Sequence, residues 1–516
     1  MLTYIARRML LMIPTLLGMT LLIFMLVALS PGGLTASALA AAGGGSPSGA
    51  DPRVADARFR DRFSLDDPVL VQYGRWLGRM SPVKIGPQAL IASTGDRIYP
   101  PRPLPVLPVP PWATAAAGLS DALPQAEASG AASYRPAEDA TERRQQFLRL
   151  QRAAAEARDE FVGRRAAAMT VLGDYALAIG RSGAVDSIGF IRPGEVASLP
   201  AAPERPQFAA AQAALTAAAK AWCEAASARA MLEVAFESRP YPAAGWAIIP
   251  GVLSVGAPDL GWSRSRNRPV ASLIMEALPV TLLLNLVAFP IIYLVAIPTG
   301  MLAASRRGSW FDVLTGGLFV ALWSVPVVWA ATLAVGFLAN SQNLGWFPVA
   351  GLHDKRAEDF LFLPTWGSGG FEPGWLLDTL WHMVLPVACL IYTGFAVLSR
   401  QTRAAMLDNF NADYVRTAKA KGVPRRDVVF RHVFRNSLLP LITMFVSIFP
   451  GMLSGAVVVE RVFSIPGMGS LMLDAISLRD AEIILANATI VGFVTLLALL
   501  LADILYAAAD PRVTYG

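Results

Sequence analysis

The chain has 516 residues, 54% of them hydrophobic and only 16% charged, with a formal net charge of +6. That is too apolar for an ordinary soluble protein and reads as a polytopic membrane protein. The positive charge gathers in short loops and forms no basic stripe interleaved with aromatics, which argues against a nucleic-acid partner. Of the two cysteines, Cys389 lies in an apolar run and Cys223 in a polar region. Neither an intrachain disulfide nor a metal site is expected from them.

A helix crosses the hydrocarbon with about 20 apolar residues, and six runs qualify. The first, 9–29, is uncharged and follows Arg7 and Arg8. Small residues at 36–40 also suit a cleavable signal peptide, but the run exceeds a usual signal core, and its loss would break the charge alternation described below. Residues 1–33 are therefore expected to form a retained spanning helix, and 34–270 a large extracytoplasmic loop. Within it, 40–49 is a flexible Gly/Ala/Ser tract, and 59–80 is a short amphipathic element. Seven prolines between Tyr99 and Trp112 predict extended polyproline II. A helix is predicted over 138–165, with Asp139 and Glu142 in its first turn and Phe147, Leu150, Ala154, Ala157 and Phe161 on one face. A second, Ala-rich helix is predicted over 207–237. The two can pair as an antiparallel hairpin whose narrow apolar faces imply marginal stability. The loop shows no internal repeat and no catalytic constellation.

The remaining runs are 277–304, 313–340, 379–399, 437–459 and 483–509, within a core spanning 271–516. Arg306, Arg307 and the 400–436 loop fall on the same side as Arg7 and Arg8. The intervening 340–378 loop is acidic. Both termini are thus expected in the cytoplasm. Pro and Gly inside several runs suit helices that bend or approach closely. Asn285, Asn340, His382, Asn487 and Asp503 are polar candidates within the spans. Of these, Asn285, His382 and Asn487 are candidates for a translocation path. Glu460-Arg461 and Arg479-Asp480 are expected to form interfacial ion pairs.

The stretch 413–440, DYVRTAKAKGVPRRDVVFRHVFRNSLLP, is basic and polar between two apolar runs. Nine Lys/Arg stand against three acids between Arg400 and Arg435. Asp413–Lys421 is predicted as a helix stopped by Gly422 and Pro424. Such a helix is a rigid knob on which a motor domain can push, or equally an amphipathic helix on anionic lipid.

The YVRTAKAKG and RHVFRNSLLP stretches resemble the cytoplasmic loop of inner-membrane permeases of binding-protein-dependent ABC importers, of the dipeptide/oligopeptide group. The N-terminal MLTYIARRMLLMIPTLLGMTLLIFMLVALSPGG, the later ASRRGSWFD, ERVFSIPGMGSLMLDAISLRD and DILYAAADPRV resemble the same group. The resemblance covers 1–35, 59–79 and 258–516, and it leaves about 81–257 as an insertion without counterpart. It implies an all-α polytopic fold of six transmembrane helices of the type I importer permease kind, with a partly helical insertion outside. It further implies a peptide importer working with a homologous second permease, two cytoplasmic ATPase subunits and an extracytoplasmic binding protein. Tyr414, Ala418 and Gly422 would lie at the ATPase contact, with Arg416 and Lys419 flanking it. ATP and magnesium would sit on the partners. No GxxxxGK[ST] phosphate loop occurs in this sequence. Arg416-Thr417-Ala418 stands where the broader family has Glu-Ala-Ala, which puts the partner's identity in question.

Two other classes explain less. An intramembrane enzyme lacks the required side chains in the spans, where one His and one Asp occur. A membrane sensor or scaffold accounts for the insertion and not for the 413–422 helix.

Overall fold

The computed structural model describes residues 2–30, 52–62, 67–113, 119–186, 189–355, 357, 360–367 and 370–509. The chain divides into a unit of residues 1–41 and 260–516 and a second unit of residues 42–259.

The first unit is the membrane bundle. Helices α1 (Leu2–Leu29), α2 (Val270–Ser305), α3 (Trp310–Ser324) and α4 (Val327–Leu333) are followed by α5 (Gly374–Phe410) and α6 (Asp413–Ala420). Then come α7 (Leu438–Ser454), α8 (Val457–Val462), α9 (Met468–Ser477) and α10 (Ala481–Ala509). Five helices are long and apolar enough to cross a bilayer, and the bent pair α3–α4 makes six.

The run 313–340 is not one straight helix. It breaks between Ser324 and Val327, and its two halves meet at 86°. Pro326 has no N–H to continue the ladder. The Val325 carbonyl freed by the break accepts from the Tyr392 hydroxyl at 2.9 Å, so the break leaves no orphan there. A π-helical segment, Ala334–Ala339, follows α4.

Helices α2 and α5 pack at close range because small residues meet where they cross. A Cβ on Gly300 would lie 2.6 Å from the Ser399 carbonyl oxygen and 2.8 Å from Thr402 Cβ. Gly300→Val is therefore expected to lower stability by about 1–3 kcal/mol through overpacking, read as a lower midpoint in thermal unfolding of the detergent-purified chain. Leu284, Ala288, Met383 and Val387 form part of the core between these helices, with Phe463 and Ile465 from the segment after α8. At the bundle's edge, Asp503 of α10 accepts from Tyr4 at 3.0 Å and pairs with Arg8 at 3.1 Å. These contacts tie α1 to the last span.

The second unit is mainly helical. Helix Ala140–Ala178 packs along helix Pro206–Glu237, with Leu119–Ser133 beside the latter. The first runs well past residue 165. Asp139 caps its start by accepting from Thr141 N and Glu142 N, both at 2.9 Å. Those N–H groups, Glu142 first, hold the Asp139 carboxyl below its usual range. Its end comes at Gly180, in left-handed conformation (φ +82°). There Gly180 N–H bonds Leu177 O and Arg181 N–H bonds Ala176 O, the paired pattern that closes a helix on glycine.

The apolar faces are broader than the sequence suggests. Phe147, Phe161, Leu172 and Tyr175 of the first helix are almost fully buried. Phe161 stacks on Trp222 of the second at 6.2 Å, and the proline-rich segment adds Leu107 and Trp112 to the same core. Arg158 clamps Asp61 with two bonds of 2.8 and 2.9 Å, fixing helix Pro52–Arg62 to the long helix. A three-stranded antiparallel sheet, Val83–Ile85, Leu253–Val255 and Trp246–Ile249, joins the beginning of this unit to its end. The expected 40–49 tract and Phe63 and Leu65 lie outside the described residues.

Candidate coupling surface

Helix α6 begins at Asp413, whose charge suits the N-terminal end of the dipole. It stops at Gly422, which takes φ +74°. Gly422 N–H bonds Lys419 O at 3.0 Å and Val423 N–H bonds Ala418 O at 3.2 Å, so the stop is the same glycine closure seen at Gly180. A left-handed residue with open space around it needs glycine for its backbone and not for lack of room.

The helix presents two faces. Val415 is fully buried and Ala418 is 6% exposed, and the helix packs on a core that includes Met301, Met406, Val428 and Val433. Residues three apart share a helix face, so the smallness of Ala418 serves close packing on its own chain. Tyr414, Arg416, Lys419 and Gly422 lie exposed. The Arg416–Asp413 pair at 3.4 Å sits in open solvent, where such pairs contribute about 0–1 kcal/mol.

Three hydrogen bonds fix α6 and the segments that flank it. Tyr414 donates its hydroxyl to Asn409 Oδ1 at the end of α5. Asn409 Nδ2 in turn donates to Ser437 Oγ at 3.1 Å, just before α7. Arg425 donates to the Ser305 carbonyl at 2.9 Å, placing a cation at the C-terminal end of α2, where the helix dipole favours it. Between Arg425 and α7 the backbone is π-helical over Val428–Phe434, a widened form that concentrates at functional sites.

The candidate path residues are scattered. Asn285 of α2 is buried and donates to Thr281 O of its own helix at 2.8 Å. His382 of α5 is 8% exposed, with Nδ1 3.3 Å from Asp378 Oδ1 one turn earlier. Asn487 of α10 is buried, and its Oδ1 accepts no hydrogen bond among the described residues. No hydrogen bond joins these three to one another among the described residues.

The expected pairs Glu460–Arg461 and Arg479–Asp480 do not form. Glu460 is fully buried. It accepts from Thr281 Oγ1 at 2.9 Å, Ala456 N at 3.1 Å and Ser470 N at 2.9 Å. Thr281 Oγ1 also accepts from Met468 N at 2.7 Å. The loop closes tightly on this carboxylate: a Cβ on Gly467 would lie 2.5 Å from the Glu460 carboxyl carbon. Asp480, also fully buried, takes Ser263 Oγ at 2.7 Å and Ser265 N at 3.0 Å. Arg461 and Arg266 both reach Asp474 instead, at 3.2 and 2.8 Å. Glu460 pins α8 to α2, and Asp480 pins the start of α10 to the short strand Trp262–Ser263 and the turn after it. Adjacent residues of a helix do not face each other, so the sequence did carry a signal against the first pair.

Residues 296–515 match the family described as the binding-protein-dependent transport system inner membrane component. The oligopeptide transport system permease protein AppB of Bacillus subtilis is 39% identical over 258 residues, which cover 50% of this chain and 76% of AppB. The dipeptide transport system permease protein DppB of Escherichia coli K12 is 33% identical over 271 residues, which cover 50% of this chain and 77% of DppB. With its apolar spans, helical bundle and these relatives, the chain belongs to the inner-membrane permeases of binding-protein-dependent ABC importers, in the group that contains the oligopeptide and dipeptide systems.

Proposed function

We propose that this permease imports peptides or related small solutes, and that α6 is where ATP-driven movement enters it. The observation that carries the reading is the division of α6 into two faces. Val415 and Ala418 are locked into the bundle while Tyr414 and Arg416 are presented outward. A helix bonded to α5 through Tyr414 and packed on Met301 of α2 and Met406 of α5 passes a push on to both. In this reading the partners are a second permease, two ATPase subunits that carry ATP and magnesium, and a binding protein that delivers substrate. Both termini and α6 lie in the cytoplasm, on the side favoured by the basic 400–436 loop. The 34–270 loop is on the opposite side in this reading. Catalysis of ATP hydrolysis belongs to the partners, and the chain itself acts as a conduit.

The double variant Tyr414→Ala/Arg416→Glu alters two exposed side chains, and Tyr414→Phe, which loses only the bond to Asn409, separates that attachment from the outward face. The ATPase subunits are expected to stop co-purifying with the double variant, and ATP-driven peptide uptake to fall about tenfold or more, as when an interface anchor is removed and a charge reversed. An intact complex with wild-type uptake would overturn the assignment of α6.

A further inference from the structure

Behind α6 lies a cavity of about 540 Å³, walled by the last turn of α2, the end of α5, α6 and the π-helical segment. Its size is that of a small-ligand pocket. Three cations line it: Arg307 from the α2–α3 turn, Lys419 from α6, and Arg425 from the turn after α6. No acid lines it, and among the described residues none of the three is in an ion pair. Arg425 spends one donor on Ser305 O, and the Lys419 ammonium lies 5.9 Å over the Phe410 ring. Leu407, Phe410 and Val428 make the rest of the wall apolar.

Three cations around one cavity with no acid in its wall attract an anion. Two of them are guanidinium forks, the geometry suited to phosphate oxygens. The cavity opens beside Ala304 and Ser305, where the apolar run of α2 ends, and basic pockets at the ends of spans bind lipid headgroups. The apolar wall accepts the glycerol and first methylenes that a headgroup carries.

We infer that this cavity binds a phosphate group, supplied by an anionic phospholipid headgroup, which bridges α6 to the α2–α3 turn. The site is separate from the exposed Tyr414–Arg416 face and does not depend on it.

The test uses the full chain purified in detergent and titrated with phosphatidylglycerol or phosphatidylcholine, with bound lipid counted by native mass spectrometry. Arg307→Gln/Arg425→Gln is expected to weaken phosphatidylglycerol binding about tenfold. Arg431→Gln/Arg435→Gln removes the same charge from exposed positions that do not line the cavity, and it is expected to leave binding within about twofold. Equal losses in both variants, or none in either, would overturn the site. Displacement of the lipid by millimolar inorganic phosphate would keep the phosphate site and overturn the lipid as its source. Resistance to that competition supports the lipid. Should the double variant misfold, Arg307→Gln in the exposed turn carries the same test, with a smaller expected drop.

Discussion

Replacing Glu460 with alanine is expected to destabilise the membrane unit by about 3 kcal/mol or more. The loss arises because three donors, Thr281 Oγ1, Ala456 N and Ser470 N, lose their acceptor at a fully buried position. Each orphaned donor costs about 1–3 kcal/mol, and the emptied volume adds to this. Glu460→Gln retains one acceptor oxygen but turns an amide N–H₂ toward one of the donors, so an intermediate loss of about 1–2 kcal/mol is expected. Thermal unfolding of the purified chain in one detergent orders the three proteins. If alanine melts with the wild type, the carboxylate holds nothing. If Gln is worse than Ala, the hydrogen-bond account is wrong.

The second large effect concerns the start of α3. Asp312 is buried and receives Arg403 of α5 through two bonds, Nε to Oδ1 at 2.6 Å and a second guanidinium nitrogen to Oδ2 at 2.9 Å. Gly308 N adds a third at 3.0 Å. Arg403→Leu strands that carboxylate, and a loss of about 3–5 kcal/mol is expected. The double variant Asp312→Asn/Arg403→Leu removes the stranded charge and should recover most of it. A double variant as unstable as the single one would mean that Arg403 acts by packing its stem and not by pairing. Chemical unfolding of all three chains, analysed as a mutant cycle, separates these outcomes.

Much of the bundle is readable in the apolar runs, because a span's length and lack of charge are set by the bilayer itself. Where a run bends is another matter. Pro326 marks the place, but the 86° angle also depends on a partner, since the Val325 carbonyl exposed by the break is taken up by Tyr392 of α5. The end of α6 and the end of helix Ala140–Ala178 share one local cause, a glycine in left-handed conformation, and only the first was read correctly. Gly180 lies beyond two arginines, at 164 and 165, that look like a helix end. The alanines, Met169 and Leu172 that follow are core.

Charge was the least readable layer. Neighbouring opposite charges in sequence suggest pairs, yet Glu460 and Asp480 turn inward to hydroxyls and backbone N–H groups. Their hydroxyl partners, Thr281 and Ser263, lie 179 and 217 residues away, at separations no local pattern encodes. Likewise Ala418 and Tyr414, four residues apart, are neighbours on the helix, yet Ala418 is buried against its own chain while Tyr414, at the edge of that face, is exposed. The cavity behind α6 needs three turns of chain to meet and has no linear motif.

The Asn409 amide has a further implication. One side chain is shared by Tyr414 on α6 and Ser437 before α7, and its own residue ends α5. The two ends of the 409–437 stretch are therefore held at a fixed separation by one amide. A relative's segment grafted here is expected to keep both bonds only when its counterparts of Asn409, Tyr414 and Ser437 are moved together.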